Sequence, residues 1–241
     1  MAIKNNFLYK RSLFIFRRDL RLIDNHGLIA ALQSSQQVIC VFIFDPQQIS
    51  AQNKYLSLNA VQFMLSSLKE LEAAIKKHAG KLYFFEGKPD QVIEKLISGL
   101  KIEAIFVNQD YTPFSLQRDL KIKKVCNKME IAFKLQSDCL LNDPSQIKTL
   151  NNKTYQVFTA FYKKVQNIPV SLPSAQHQFR TNCFYFEHLA HAVKLINIYE
   201  KILTELNPRL AESGGRQAGL KILKSCSKFK NYLHEKDFPA I

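Results

Sequence analysis

The sequence predicts an α/β fold: a five-stranded, doubly wound, Rossmann-like parallel sheet with a C-terminal linker and helical extension. Three observations predict it. Short apolar runs bounded by charge or turn residues recur between residues 13 and 135. Between them lie segments whose apolar residues repeat at helical spacing. Runs and segments alternate strictly, which is the order that gives parallel strands joined by right-handed crossovers.

Residues 13–16 (LFIF) are fully apolar and read as a buried first strand. Asp24-Asn25 offers an N-cap, with Asp24 able to cap a helix over 26–33. Residues 38–44 (VICVFIF) are β-branched and aromatic, and Asp45-Pro46 ends them as a second strand. Val61, Met64, Leu65, Leu68, Leu71 and Ile75 mark a helix over 59–78, stopped by Gly80. Residues 82–85 form the third strand, and 89–100 a helix with Pro89 in its first turn. Residues 104–107 form the fourth strand, closing at Asn108. A helix over 114–129 and a fifth strand over 131–135 follow. Beyond 140 the pattern changes. Residues 142–157 read as an exposed loop, 158–165 as a short aromatic and basic helix, and 166–183 as a Pro-containing linker. A helical segment follows Gly214-Gly215.

The hydrophobic share of 46% over 241 residues supports a core and excludes wholesale disorder. With 34 Lys and Arg against 20 acidic residues, the formal charge is +14. Such an excess suits a polyanionic partner such as DNA, bound weakly and without sequence preference, although a basic protein can also lack one. Five widely spaced cysteines without a C-x-x-C pair suit reduced thiols in the cytoplasm. Cys183, His188 and His191 fall short of a metal-ligand set, and no metal is expected. No apolar stretch approaches a membrane span or a signal segment. Neither G-x-G-x-x-G nor G-x-x-x-x-G-K-[ST] occurs, which argues against an unrelated nucleotide-binding enzyme.

In a doubly wound sheet, ligands gather at the carboxyl ends of the strands where strand order reverses. The loops starting at Arg17 and Asn108 are therefore the candidate crevice. Planar guanidinium groups at Arg17 and Arg18 can hold carboxylates, phosphates or a flavin-like edge. The same loop equally suits an ion-pair network, with Asp19 paired to a neighbouring Arg, and that is the preferred reading. Tyr155, Phe158, Phe161 and Tyr162 beside Lys163 and Lys164 can stack bases and touch phosphates, or pack against a second domain.

The string from Phe16 to Asn25 (FRRDLRLIDN) resembles the opening motif of the DNA photolyase and cryptochrome family. Three further strings resemble that family in order. They are NQDYTPF at 108–114 with Arg118-Asp119, YQVFTAF at 155–161 with Lys163-Lys164, and Gly214-Gly215-Arg216 leading to DFPA at 237–240. The resemblance implies an antenna-type α/β domain over 10–140, an interdomain segment over 141–213, and a lead-in to a FAD-binding helical domain over 214–241. It implies a carbon–carbon lyase, the light-dependent repair of cyclobutane pyrimidine dimers in damaged DNA. In the family, the flavin's phosphates are bound just after the DFPA string. The chain is thus expected to be split or truncated before its FAD site and unable to repair alone, with repair possible if a separately encoded flavin half associates with it. An antenna chromophore, folate or deazaflavin, would sit in the crevice with Asp110, Asn108 and Arg17. Arg18, Asp19, Arg21, Asp24, Asn25, Phe158, Lys163 and Lys164 would fasten the domains together. Phe114 and Ser115 stand where the folate branch has an Asn-Glu pair, and Thr112 departs from a second acid of the deazaflavin branch. The alternative is a non-enzymatic antenna or weak DNA-binding module. Residues 197–241 are expected to pack on the helical domain, leaving 214–241 mobile or self-associating without it.

Overall fold

A computed structural model describes residues 7–170, 172–173, 183–203, 206–210 and 214–225. Five strands form one sheet in the order β3-β2-β1-β4-β5, and every adjacent pair is parallel. The strands are β1 (Tyr9–Phe16), β2 (Ser35–Phe44), β3 (Leu82–Glu86), β4 (Ala104–Asn108) and β5 (Ala132–Gln136). The chain runs outward from β1 to β3, then returns to lay β4 on the other side of β1. Strand order therefore reverses between β1 and β4, and a crevice opens at their carboxyl ends.

Strand periodicity divides the core in two. On β1, Phe14 and Phe16 face one layer while Leu13 and Ile15 face the other. On β4, Phe106 and Ile105 divide in the same way. Successive side chains on a strand point to opposite faces, so a continuous apolar run feeds both layers. The first layer is covered by α1 (His26–Ser34) and α3 (Leu58–Lys77). The second is covered by α4 (Pro89–Leu100) and α5 (Pro113–Lys128). The short α2 (Pro46–Ile49) closes the end of β2, capped by Asp45.

Two capping details differ from the sequence reading. Asn25, not Asp24, caps α1: its side chain accepts the amide of Leu28, while Asp24 takes the left-handed φ of 54° just before it. At the end of α3 the left-handed residue is Ala79, φ 56°. Gly80 serves close packing instead: a Cβ there would lie 2.6 Å from Cβ of Phe184.

The larger difference lies after the linker. Cys183, Phe184 and Tyr185 are buried, and Phe184 bridges to Val38 beside the start of β2. Val193 bridges to Phe84, covering the outer edge of β3. Then α7 (Leu195–Ile202) sets Leu195 and Ile198 into the layer under α3. Residues 197–203 of the stretch expected to wait for a helical domain therefore pack on the α/β unit itself. Each such apolar side chain contributes about 2 kcal/mol by its burial. The helix α8 (Arg216–Ser225) also meets α3, where both carboxylate oxygens of Glu70 accept the amide of Gln217. Gly214 permits this approach, since a Cβ there would collide with the carbonyl of Phe63. Ile222 and Leu223 of α8 remain exposed. Residues 226–241, with Cys226 and the DFPA string, lie outside the described residues.

Candidate chromophore crevice

The β1/β4 reversal carries two adjoining polar groups. The inner one is a closed corner. Asp19 turns back so that Oδ1 accepts the amide of Arg17 at 2.8 Å, and its Oδ2 accepts from the side chains of Asn25 and Asn108. Asn108 Nδ2 also donates to Asn25 Oδ1 at 2.8 Å, and its Oδ1 accepts the amide of Gly27 at 2.8 Å. Asn25 Nδ2 donates to the Arg21 carbonyl at 3.0 Å. One residue from β4 thus joins the β1 loop to the start of α1. Burial pushes the Asp19 carboxyl above the usual carboxylate range, against hydrogen bonds from the Arg17 amide and Asn108 that pull it down. Arg21 binds the Asp138 carboxylate at 2.9 and 3.0 Å, and Asp138 also accepts the amide of His26 at 2.9 Å. His26 Nδ1 lies 2.8 Å from the Ser137 carbonyl.

The outer group lines a cavity of about 740 Å³ at the ends of β1 and β2 and the start of α5. Phe42, Phe44, Ile49, Tyr55, Leu56 and Met64 supply its apolar wall. Its polar lining includes Arg17, Arg18 and Arg118 together with the carboxylates of Asp45 and Asp110. Arg17 Nη1 donates to Asp119 Oδ2 at 2.9 Å, and its Nη2 sits 2.8 Å from Oδ1 without hydrogen-bond geometry. Arg118 donates through Nε to the same Oδ1 at 3.1 Å, while its buried Nη2 has no hydrogen-bond partner. Burial, and then the charge of Arg118, lower the Arg17 pKa. Asp110 stands across the crevice mouth. Its Oδ2 accepts from Ser115 Oγ at 2.9 Å and its Oδ1 from the Thr112 amide at 3.3 Å. Burial alone would raise Asp110, but these bonds and the charges of Arg18 and Arg118 hold it below its ordinary value.

A large, mostly apolar cleft at a strand-order reversal, edged by a few convergent polar groups, is the geometry of a small-molecule site. Its two incompletely bonded guanidinium groups suit a ligand rich in acceptors. The family model for DNA photolyase matches residues 12–178. The chain belongs to the DNA photolyase family. It is 34% identical over 163 residues to a deoxyribodipyrimidine photo-lyase of a Synechococcus strain, covering 68% of this chain and 33% of that protein. An uncharacterized 31.6 kDa protein from another Synechococcus strain is 35% identical over 68% of this chain and 57% of its own length. The archaeal photolyase of Sulfolobus tokodaii, solved with two FAD molecules that implicate a novel light-harvesting cofactor, superposes with a TM-score of 0.76. It is 37% identical and covers 88% of this chain and 46% of that one. A class III photolyase from Agrobacterium tumefaciens, 23% identical with a TM-score of 0.80, shares the fold over 100% of this chain and 50% of its own. This photolyase-family chain therefore spans between a third and three-fifths of these relatives' lengths.

Of the residues singled out in the sequence, Arg17 and Asp110 line the crevice, whereas Asn108 is turned inward and 3% exposed. Arg18 is at the rim, 3.8 Å from Asp110 and largely solvated. Asp19 makes no pair with a neighbouring Arg side chain; its partners are the Arg17 amide and two asparagines. The helix α6 (Phe158–Val165) buries none of its residues, and Phe158 stacks on Tyr162 at 5.9 Å while Lys163 and Lys164 stay in solvent. Asp138 is not singled out by the sequence, and Ser115 and Asp119 figure there only as motif positions without a site role. Ser115, Asp119, Ile122 and Cys126 lie on the buried face of α5. Their helical spacing was the signal, because a charge on an inward face requires a partner. Among the described residues no three His, Cys, Asp or Glu side chains are placed to hold a metal ion, and no helix is long and apolar enough to cross a membrane.

Proposed function

We propose that this chain supplies the light-collecting unit of a photolyase-like protein, holding a flat chromophore in the β1/β4 crevice. The observation that carries the reading is the apolar cavity of about 740 Å³ at the strand-order reversal of a photolyase-family domain. A flavin or deazaflavin suits it better than a folate. Phe114 and Ser115 occupy the positions where a folate-binding acid is expected, and Ser115 is committed to Asp110. The light-harvesting cofactor implicated in the Sulfolobus tokodaii relative points the same way. The chromophore would pass its excitation to FAD in a flavin-bearing unit, on this polypeptide or a separate one, and that unit would reverse cyclobutane pyrimidine dimers in DNA. Residues 1–241 alone would then bind DNA weakly and repair nothing. The net charge of +14 supports a non-specific, salt-sensitive contact with the phosphate backbone. A cytoplasmic setting suits the four described cysteines, none of which forms a disulfide.

The test is the near-ultraviolet and visible absorption of the purified chain, before and after incubation with riboflavin and gel filtration. A retained flavin-type band is expected. A colourless protein that retains no riboflavin would overturn the reading. A second reading, a DNA-binding module without a chromophore, draws on the solvent-facing Phe158 and Tyr162 beside Lys163 and Lys164. It requires DNA affinity that falls steeply with salt and is reduced by Phe158→Ala.

A further inference from the structure

We infer that the open edge of β5 is a docking site for an extended peptide of alternating apolar and acidic residues, added to the sheet as a further strand. The inference is independent of what the crevice holds. The two ends of the sheet are finished differently. At the outer edge of β3 the chain covers itself, since the Val193 amide donates to the Phe84 carbonyl at 2.8 Å. At β5 the sheet ends without a neighbour among the described residues. An uncovered edge strand is a template for another strand. Ala132 donates its amide to the Glu103 carbonyl at 3.2 Å, and the Gln136 carbonyl accepts the Gln109 amide at 2.8 Å, both on the β4 side. In a parallel ladder these groups alternate from side to side, so the amides and carbonyls of Phe133 and Leu135 point outward.

The side chains along that edge say what fits it. Phe133 packs into the layer that holds Ile122 and Cys126 of α5, and Leu135, on the same face two residues on, is 42% exposed. The helix α5 meets α4 through the flank that carries Arg118, Lys121 and Lys128. Helical spacing sets Leu116, Leu120 and Lys123 on the other flank, toward β5, where the two leucines are 46% and 59% exposed. These leucines and Leu135 offer apolar contact to every second residue of an added strand. Its remaining residues would face the opposite side, where Lys134 stands exposed. Neither Lys123 nor Lys134 makes an ion pair among the described residues. Charge decides the occupant. A second copy paired through β5 would bring together two chains of +14 and two copies of Lys134, and like charges across a strand pair are destabilising. A nucleic-acid backbone matches the lysines and leaves the exposed leucines unused. A strand that alternates apolar and acidic residues matches the leucines, the outward backbone groups and the lysines together.

The probe is a fluorescein-labelled peptide of about seven residues in which valine and glutamate alternate. Its binding to the full chain is read by fluorescence anisotropy, against a control peptide with the same residues in two blocks. The alternating peptide is expected to bind about tenfold more tightly, because the control carries the same charge without the alternation. Lys134→Glu, at an exposed position, should weaken the alternating peptide about tenfold while the thermal midpoint stays where it was. Amide exchange gives a readout that needs no variant: the peptide should slow exchange at Phe133 and Leu135 and leave β3 unchanged. Equal binding of the two peptides would overturn the inference, since charge alone would then account for it. So would exchange at Phe133 and Leu135 that is indifferent to the peptide, or an affinity that survives Lys134→Glu. A short DNA duplex that displaces the peptide and slows the same two amides would assign the edge to nucleic acid. Slowing of those amides with rising protein concentration, in the absence of peptide, would assign it to a second copy. Either result overturns the inference.

Discussion

The inner corner and the outer crevice sit side by side at the same strand-order reversal, and both are built from charged or amide side chains. In the corner, Asp19, Asn25 and Asn108 spend their hydrogen-bonding groups on one another and on the backbone of Arg17, Arg21 and Gly27. In the crevice, Arg17 and Arg118 crowd one carboxylate and each leaves an Nη2 without a hydrogen bond. A satisfied buried network rigidifies a fold; an unsatisfied one waits for a partner. The difference teaches that adjacency in the family's opening motif does not mean a shared role. Asp19 and Arg17 lie two residues apart, yet one fastens the scaffold and the other lines the cavity.

The sharpest way to break this contrast is a matched pair of substitutions. Asn108→Ala would strip acceptors and donors from Gly27, Asn25 and Asp19 at once, leaving a buried carboxylate short of a donor. A loss of about 3 kcal/mol is expected, read from the urea midpoint with an unchanged m-value. Arg118→Gln removes a group whose Nη2 has no partner, and its cost should stay below about 1 kcal/mol. If the two substitutions cost the same, the corner is no more structural than the crevice.

A smaller and purely steric probe is Gly27→Ala. The added Cβ would lie 2.6 Å from Asn108 Oδ1 and 2.9 Å from the Phe14 ring. Gly27 has no left-handed backbone to explain it, so the residue is there for close approach. Overpacking of this kind costs about 1–3 kcal/mol. Thermal unfolding with a lowered midpoint would sharpen the comparison, because no crevice residue is touched. A midpoint equal to that of the unmodified chain would mean that the corner yields to an extra methyl group.

Much of the fold was legible in the sequence because strand and helix periods are local. The run at 13–16 states both faces of a buried strand, and Pro89 marks a helix start that the structure keeps. The segment over 183–203 was not legible. Its bridges join Phe184 to Val38 and Val193 to Phe84, partners about a hundred or more residues apart. Leu195 and Ile198 do stand at helical spacing, but a short amphipathic segment does not say which surface it covers. The site was half legible for the same reason. Motif residues such as Arg17 and Asp110 could be placed at strand ends, whereas the Arg17–Asp119 pair closes over 102 positions. Nor does local sequence reveal that Asn108 points inward to Gly27 and not outward to the cavity.

The mildest test separates the two regions by pH. Asp110 lies on the crevice side and is held below its ordinary pKa; Asp19 lies in the corner and is pushed above its own. For Asp110 the sign follows from the lowered folded-state pKa. Its stabilisation is present above the unfolded value, about 3.9, and is lost as pH falls through the lower folded value. Asp19 works in the opposite sense, since a raised folded-state pKa means stability declines as pH rises above the unfolded value. Asp110→Asn should therefore cost about 1 kcal/mol near neutral pH, because the amide cannot replace a charged acceptor of Ser115 and Thr112. That deficit should shrink as pH falls below about 4, where the unmodified chain loses the same charge. Urea midpoints of both proteins across that range measure it. A deficit that stays constant with pH would assign Asp110 a neutral packing role, and the crevice would then hold no carboxylate tuned by its surroundings.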